Sequence, residues 1–104
     1  MLHMVVNTHT SDTCAFRSEE NEKVMVPAIQ ALGQAATGKG GRLAGSWINT
    51  TSHTFFFLID APDAHGVNAM LEESGLVGLT DSVIYPVEQA EAVIEKGTGR
   101  RPGA

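Results

Sequence analysis

The sequence predicts an α+β fold in which strands and helices follow one another in the order βαββαβ. Short runs of β-branched and aromatic residues recur along the chain, and apolar residues at helical spacing separate them. Gly, Pro, Asp and Ser residues mark the ends of these segments. With 104 residues, the chain is long enough for one sheet covered by helices on one face.

The first strand is predicted over residues 2–8, which are rich in residues that favour β-structure. Side chains alternate along a strand, so its two faces can be compared. One face is apolar and is expected to pack under the helices: Leu2, Met4 and Val6. The other face is partly polar and is expected to line a cavity: His3, Val5, Asn7 and His9.

A long connection, residues 10–20, leads into the first helix. Connections of this length are often functional. Ser18 is a typical capping residue with two acidic residues behind it, so we expect the helix to begin near Glu19. Pro27 then disturbs the first part of the helix, and a start near Val26 is the alternative.

The rest of the chain is divided by glycine and proline residues into further elements. The third strand contains three consecutive phenylalanines, which indicates a central strand buried on both faces. The predicted elements are a second strand at residues 43–49, a third at residues 53–60, a second helix from residues 61–63 to residues 74–75, a fourth strand at residues 79–87 and a short helix at residues 88–96.

This order of elements predicts a ferredoxin-like fold, an antiparallel sheet of order 4-1-3-2 with both helices on one face. We expect one domain over residues 1–96 and a flexible tail over residues 97–104. The helices leave the other face of the sheet uncovered, and aromatic residues exposed there would form an unusually large apolar patch for a monomer. We therefore expect a homodimer whose two sheets pack face to face as a barrel. The residues expected on that face are Val5, Asn7, Phe55, Phe57 and Ile59.

Charge and composition exclude several classes of protein. Seven Lys and Arg against 12 Asp and Glu argue against a nucleic-acid partner. No apolar run approaches the roughly 20 residues of a membrane span. The first residues lack the basic region and cleavage site of a signal peptide, and one cysteine cannot form an internal disulfide. We therefore expect a cytoplasmic protein without a membrane partner.

Several segments resemble the dimeric α/β-barrel superfamily: the order of elements, the opening run at residues 1–6, and the strand at residues 41–47 that leads through a turn into an aromatic strand. That superfamily includes muconolactone isomerases, small cofactor-free monooxygenases, haem-degrading monooxygenases and stress-responsive barrels. His9-Thr10 with a nearby cysteine, and Ser52-His53-Thr54, resemble an uncharacterised bacterial group of small single-domain proteins. The resemblance implies the dimeric barrel and, as an activity, cofactor-independent isomerase or monooxygenase chemistry.

The main candidate site consists of His9, Cys14 and His53. Antiparallel pairing of strands 1 and 3 places both histidines at one end of the sheet, and Cys14 follows on the loop that leaves it. Imidazole and thiolate are suitable ligands for zinc or copper. The same groups without a metal are suited to proton transfer or to a reactive thiolate. The spacing matches no established zinc motif.

Three functions stay open at this point, and the sequence does not decide whether the protein is an enzyme. The first is a small-molecule-binding protein or cofactor-free enzyme in which His9 and His53 are catalytic. The second is a copper- or zinc-binding protein, and the third is an accessory subunit whose tail docks on a partner. For the first, the expected ligand-binding residues are Asn7, Cys14, Arg17, Phe55, Phe57 and Tyr85.

Two further groups are weaker candidates. His3, Asp60 and His65 are expected toward the opposite end of the sheet, where ordinary surface positions are the favoured explanation. Haem-degrading members of the superfamily use a first-strand Asn, a Trp and a helix histidine, to which Asn7, Trp47 and His65 are similar. However, Trp47 lies on the second strand and His65 early in its helix, and these departures argue against haem.

Overall fold

The computed structural model describes residues 1–97 and has four strands and three helices in that part of the chain. The strands form one antiparallel sheet of order β2-β3-β1-β4, which read from the other edge is 4-1-3-2. The chain therefore has an α+β, broadly ferredoxin-like architecture. The elements are β1 (Leu2–Thr8), α1 (Glu19–Gly38), β2 (Arg42–Asn49), β3 (Thr54–Asp60), α2 (Ala64–Ser74), β4 (Asp81–Val87) and α3 (Ala90–Gly97).

Side-chain caps set the starts of the two long helices. The Ser18 hydroxyl accepts a hydrogen bond from the Asn21 backbone N–H, which confirms the predicted start of α1. Pro27 lies inside α1, which continues through it. The Asp63 carboxylate caps α2, and Gly75, in the left-handed conformation with φ 95°, ends it.

The core lies between the sheet and the two long helices. Val5 of β1 pairs with Phe57 of β3, and both are fully buried in a cluster with Leu32 of α1 and Met70 of α2. The faces predicted for the two central strands are therefore wrong, because the residues expected on the open face lie under the helices. The two sets of residues exchange faces relative to the prediction. The set expected on the uncovered face lies under the helices: Val5, Asn7, Phe55, Phe57 and Ile59. The set expected under the helices lies on the other face: Leu2, Met4 and Val6.

Two buried polar residues of β1 explain this error. His3 and Asn7 are both 0% exposed, although their polarity indicated the open face. The Asn7 side-chain amide donates hydrogen bonds to the hydroxyls of Thr80 and Ser82, each at 2.7 Å. A buried amide is stable where neighbouring hydroxyls accept its hydrogen bonds, so its polarity does not report exposure.

The opposite face of the sheet, which we call the open face, is apolar. Its centre is formed by the neighbouring pairs Val6–Phe56 and Met4–Leu58. Exposed side chains of the outer strands flank this centre, and they are Trp47, Val83 and Tyr85, which are 54%, 52% and 52% exposed.

A β-bulge in β2 decides which face Trp47 occupies. The register shifts between Leu43 and Gly45, so that Leu43 pairs with Ile59 and packs against the core, whereas Trp47 pairs with Phe56 on the open face. Regular alternation of side chains along β2 would predict one face for both Leu43 and Trp47, and the bulge makes that prediction wrong. A side chain at Gly45 would overlap the indole ring of Trp47, so glycine allows the ring to lie flat on this face.

Two further expectations concern membrane spans and the C-terminal tail. None of the helices within residues 1–97 is long and apolar enough to cross a membrane. The tail predicted for residues 97–104 lies, apart from Gly97 at the end of α3, outside the described residues.

Candidate functional site

Antiparallel pairing of β1 and β3 brings His9 and His53 together. The pairing ends at Thr8 and Thr54, and one residue further the His9 backbone N–H donates to the His53 carbonyl at 3.1 Å. The two imidazole rings meet edge to face, with their centroids 5.3 Å apart. Phe55 lies beside His9, with ring centroids 4.8 Å apart, and forms the apolar floor of the site.

The turn between β2 and β3 holds His53 in an unusual backbone conformation. The Asn49 side-chain oxygen accepts hydrogen bonds from the backbone N–H groups of Thr51 and Ser52 and from the Thr51 hydroxyl. His53 then has φ 52°, the only positive φ at a non-glycine residue within residues 1–97. This conformation costs free energy for a residue with a Cβ, so the turn holds the histidine in place against local strain.

The connection between β1 and α1 places Cys14 beside the two histidines. Cys14 is 6% exposed. The Asn21 side chain of α1 donates to the carbonyls of Asp12, at 2.8 Å, and of Cys14, at 3.0 Å. The Arg17 backbone N–H also donates to the Cys14 carbonyl, at 3.2 Å. Both N–H groups of one amide therefore clamp this loop onto the helix.

The three side chains form a compact cluster of donor atoms. One ligand atom each from His9, Cys14 and His53 can be chosen so that all three lie within 4.8 Å of one another. No other group of three or more His, Cys, Asp or Glu side chains in the described part of the chain has this arrangement.

The imidazole nitrogens of the cluster are poorly satisfied. Both ring nitrogens of His9 and Nδ1 of His53 are buried and have no hydrogen-bond partner among the described residues. Burial, and second the proximity of His53, lower the pKa of His9, so this ring favours the neutral form. A neutral imidazole with a free lone pair is the form that binds a metal ion.

A modest movement would turn the cluster into a metal site. With bonds of about 2.0–2.3 Å, neighbouring ligand atoms in a tetrahedral zinc site lie roughly 3.3–3.6 Å apart. The donors therefore need to approach by about 1 Å, which side-chain rotation can supply. Nitrogen and thiolate donors suit zinc and copper and do not suit magnesium or calcium.

An open cavity of about 320 Å³ adjoins the cluster. Cys14 and His53 form part of its wall, and Arg17 reaches its rim, as expected from the sequence. Phe16 and Thr50, which sequence reasoning missed, contribute an exposed aromatic ring and a hydroxyl group. An aromatic residue in a largely polar loop, Phe16, is the sequence signal that could have identified the apolar part of this cavity.

The other expected ligand-binding residues do not join this site. Asn7 and Phe57 are buried under the helices, and Phe55 contributes only the floor beneath His9. Tyr85 pairs with Met4 and lies on the open face. These residues are therefore divided between two faces of the sheet and cannot line one cleft.

The weaker candidates are also dispersed. His3 is buried in β1, whereas His65 is exposed in the first turn of α2. Asp60 is paired with the terminal amino group of Met1 at 2.8 Å, which lowers the pKa of its carboxyl group. Asn7 and Trp47 lie on opposite faces of the sheet, so they cannot contribute to one haem pocket.

The backbone strain at His53 gives a prediction. We expect the His53→Gly variant to be more stable than His53→Ala by about 1 kcal/mol, because only glycine adopts a positive φ without strain. Urea unfolding of the metal-free variants measures this difference. At an unstrained position alanine is the more stable of the two, so that order here would show that the turn does not impose the left-handed conformation.

Comparison with models of known protein families and with curated protein sequences finds no match for this chain. Its function is therefore inferred from the geometry of the site.

Proposed function

We propose that this protein binds one transition-metal ion, Zn²⁺ or copper, through His9, Cys14 and His53. The observation that carries this proposal is the convergence of two imidazoles and one thiol, each from a different segment, with ligand atoms within 4.8 Å of one another. A buried nitrogen without a hydrogen-bond partner costs free energy, and an ion bound to His9 and His53 would remove part of that cost.

The backbone around each of the three candidate ligands is held in place by hydrogen bonds, which supports the proposal. Strand pairing fixes His9, the Asn49 turn holds His53 in its left-handed conformation, and the Asn21 amide clamps the loop of Cys14. Positioning of ligands by surrounding hydrogen bonds is characteristic of metal sites.

The proposal is tested by titrating the untagged, chelator-treated protein with Zn²⁺ and, separately, with Cu⁺ and Cu²⁺ in the presence of a competing chelator. We expect one equivalent to bind to each chain with sub-micromolar affinity to at least one of these ions. With Co²⁺ as a spectroscopic probe, thiolate coordination should produce a near-ultraviolet charge-transfer band. Failure of all of these ions to bind at one equivalent would refute the proposal.

A metal-free proton-transfer site is the second candidate function. It is favoured by the contact between the His9 and His53 rings beside a cavity large enough for a small substrate. Measuring small-molecule binding beside the metal titration separates the two functions. A cofactor-free site takes up no metal and binds small molecules without one, and replacing Cys14, which lines the cavity, should change that small-molecule affinity.

We propose further that a second copy of the chain covers the open face. Four strands of seven or eight residues present a face of roughly 19 by 24 Å. The plan area of roughly 450 Å² is more than half of the approximately 800 Å² that each partner buries in a stable interface, and the residues that flank the sheet would supply the rest. The centre of this face is uncharged, with Phe56 and Leu58 at its middle, so two identical faces can meet without burying charge.

This pairing predicts that Val83→Lys makes the protein monomeric. Val83 is 52% exposed on the open face, and a lysine there would place a charge against the partner's apolar surface. Val24→Lys is the matched control, because Val24 is 53% exposed on α1. Light scattering after size exclusion should give a dimer for the wild type and the control. A monomeric wild type at high concentration would contradict the proposal.

A further inference from the structure

The cavity is lined by two of the three proposed metal ligands. Cys14 and His53 line it, whereas His9 packs against Phe55 and is not among the lining residues. Three protein ligands leave one position of a tetrahedral ion unfilled. Since two of the three ligands belong to the cavity wall, an ion held by them would be accessible to a ligand from the cavity.

We infer that this position takes the carboxylate of a small organic acid whose apolar body lies in the cavity. The inference rests on the proposed metal site and identifies the class of ligand for it. A carboxylate oxygen would replace a water molecule on the ion, a ligand exchange with no change in oxidation state.

Arg17 supplies the charge that favours an acid over a neutral ligand. Its guanidinium group contacts the Asp12 carboxylate at 3.4 Å and the Ser11 hydroxyl at 3.3 Å. Both distances are long, and the Arg17 and Asp12 side chains are 56% and 86% exposed, so the ion pair contributes little and can be exchanged. Arginine binds a carboxylate with two parallel hydrogen bonds, which makes it a suitable second partner.

The shape and composition of the cavity favour an apolar body of limited size. Phe16 is 65% exposed and presents its ring to the cavity. A volume of about 320 Å³ lies at the small end of ligand pockets, which suits a single ring or a short branched chain. The formal net charge of −5 disfavours ligands with several negative charges, so the structure favours a monocarboxylate.

The test uses Co²⁺-loaded full-length protein and three probes: benzoate, acetate and benzyl alcohol. Benzoate should change the cobalt visible spectrum saturably, acetate should bind at least about tenfold more weakly, and benzyl alcohol should leave the spectrum unchanged. Replacing Arg17 by Gln should weaken benzoate binding by about tenfold without changing Co²⁺ affinity. Arg42→Gln, at an exposed position near the opposite end of the sheet, is the matched control.

Each outcome has one meaning. Absence of a thiolate-to-cobalt band refutes the metal site itself. A normal band that benzoate does not alter leaves the metal site in place and refutes the inference about its ligand. Equal affinities for benzoate and acetate also refute it, since they show anion binding without a contribution from the cavity.

Discussion

The Cys14→Ser variant is expected to bind Zn²⁺ on the order of 100-fold or more weakly than the wild type. Replacing a residue that only supports a metal ligand typically costs 10–100-fold, so loss of a ligand itself should cost at least as much. Serine keeps the size of the side chain and removes the thiolate. Competition with a chromogenic chelator measures the affinity, and the charge-transfer band of the Co²⁺ form should disappear.

Two companion variants make this result specific. His9→Gln should cause a loss of similar size, because glutamine fills the space beside Phe55 but is a poor ligand for zinc. His65→Gln should have no effect, since His65 is exposed in α2 and lies outside the cluster. Wild-type affinity in Cys14→Ser would exclude the thiol as a ligand.

The Phe57→Ala variant should lose about 3–5 kcal/mol of stability, which is the cost of removing a fully buried phenylalanine. Phe57 is 0% exposed and lies between the sheet and the helices. For a domain of this size the loss is a large part of the total stability, so we expect partial unfolding of the variant at 37 °C. Urea unfolding followed by circular dichroism gives the free energy.

Phe56→Ala is the control for this experiment. Phe56 is the neighbouring residue in β3 and lies on the open face, so its replacement should act on self-association more than on folding of the chain. Unfolding at several protein concentrations separates the two effects, because only the stability of an oligomer depends on concentration. Equal, concentration-independent losses for both variants would contradict the assignment of the two faces.

Much of the fold follows from local features of the sequence. The 2–8 strand, the start of α1 after Ser18 and the end of α2 at Gly75 were all predicted, because capping, glycine conformation and β-propensity act over a few residues. The helices and strands then leave few allowed connections, which is why the topology follows from their order.

The faces of the central strands could not be predicted in the same way. In β1 both alternating sets contain apolar residues, and the buried set also contains His3 and Asn7. The amide NH2 group of Asn7 donates to Thr80 and Ser82, which are remote in sequence and come close only when β4 pairs with β1. Which face of the strand is buried depends here on distant partners, and a local sequence pattern cannot predict that.

The sequence predicted the residues of the site but not the hydrogen bonds and backbone conformation that position them. Antiparallel pairing alone brings His9 and His53 together, and this was expected from the order of strands. The hydrogen bonds of Asn21 depend on how α1 packs against the loop, and the left-handed backbone of His53 depends on the Asn49 turn. Neither has a sequence signature strong enough to identify it in advance.

The clamp formed by Asn21 also bears on how quickly the site can exchange its occupant. Because one side chain of α1 holds the backbone carbonyls of both Asp12 and Cys14, the backbone that carries the thiol is ordered before an ion arrives, and only side-chain rotation is needed. Little conformational entropy is then lost on binding. The expected behaviour is a long residence time, in keeping with retention of an ion and not with its rapid transfer to another protein.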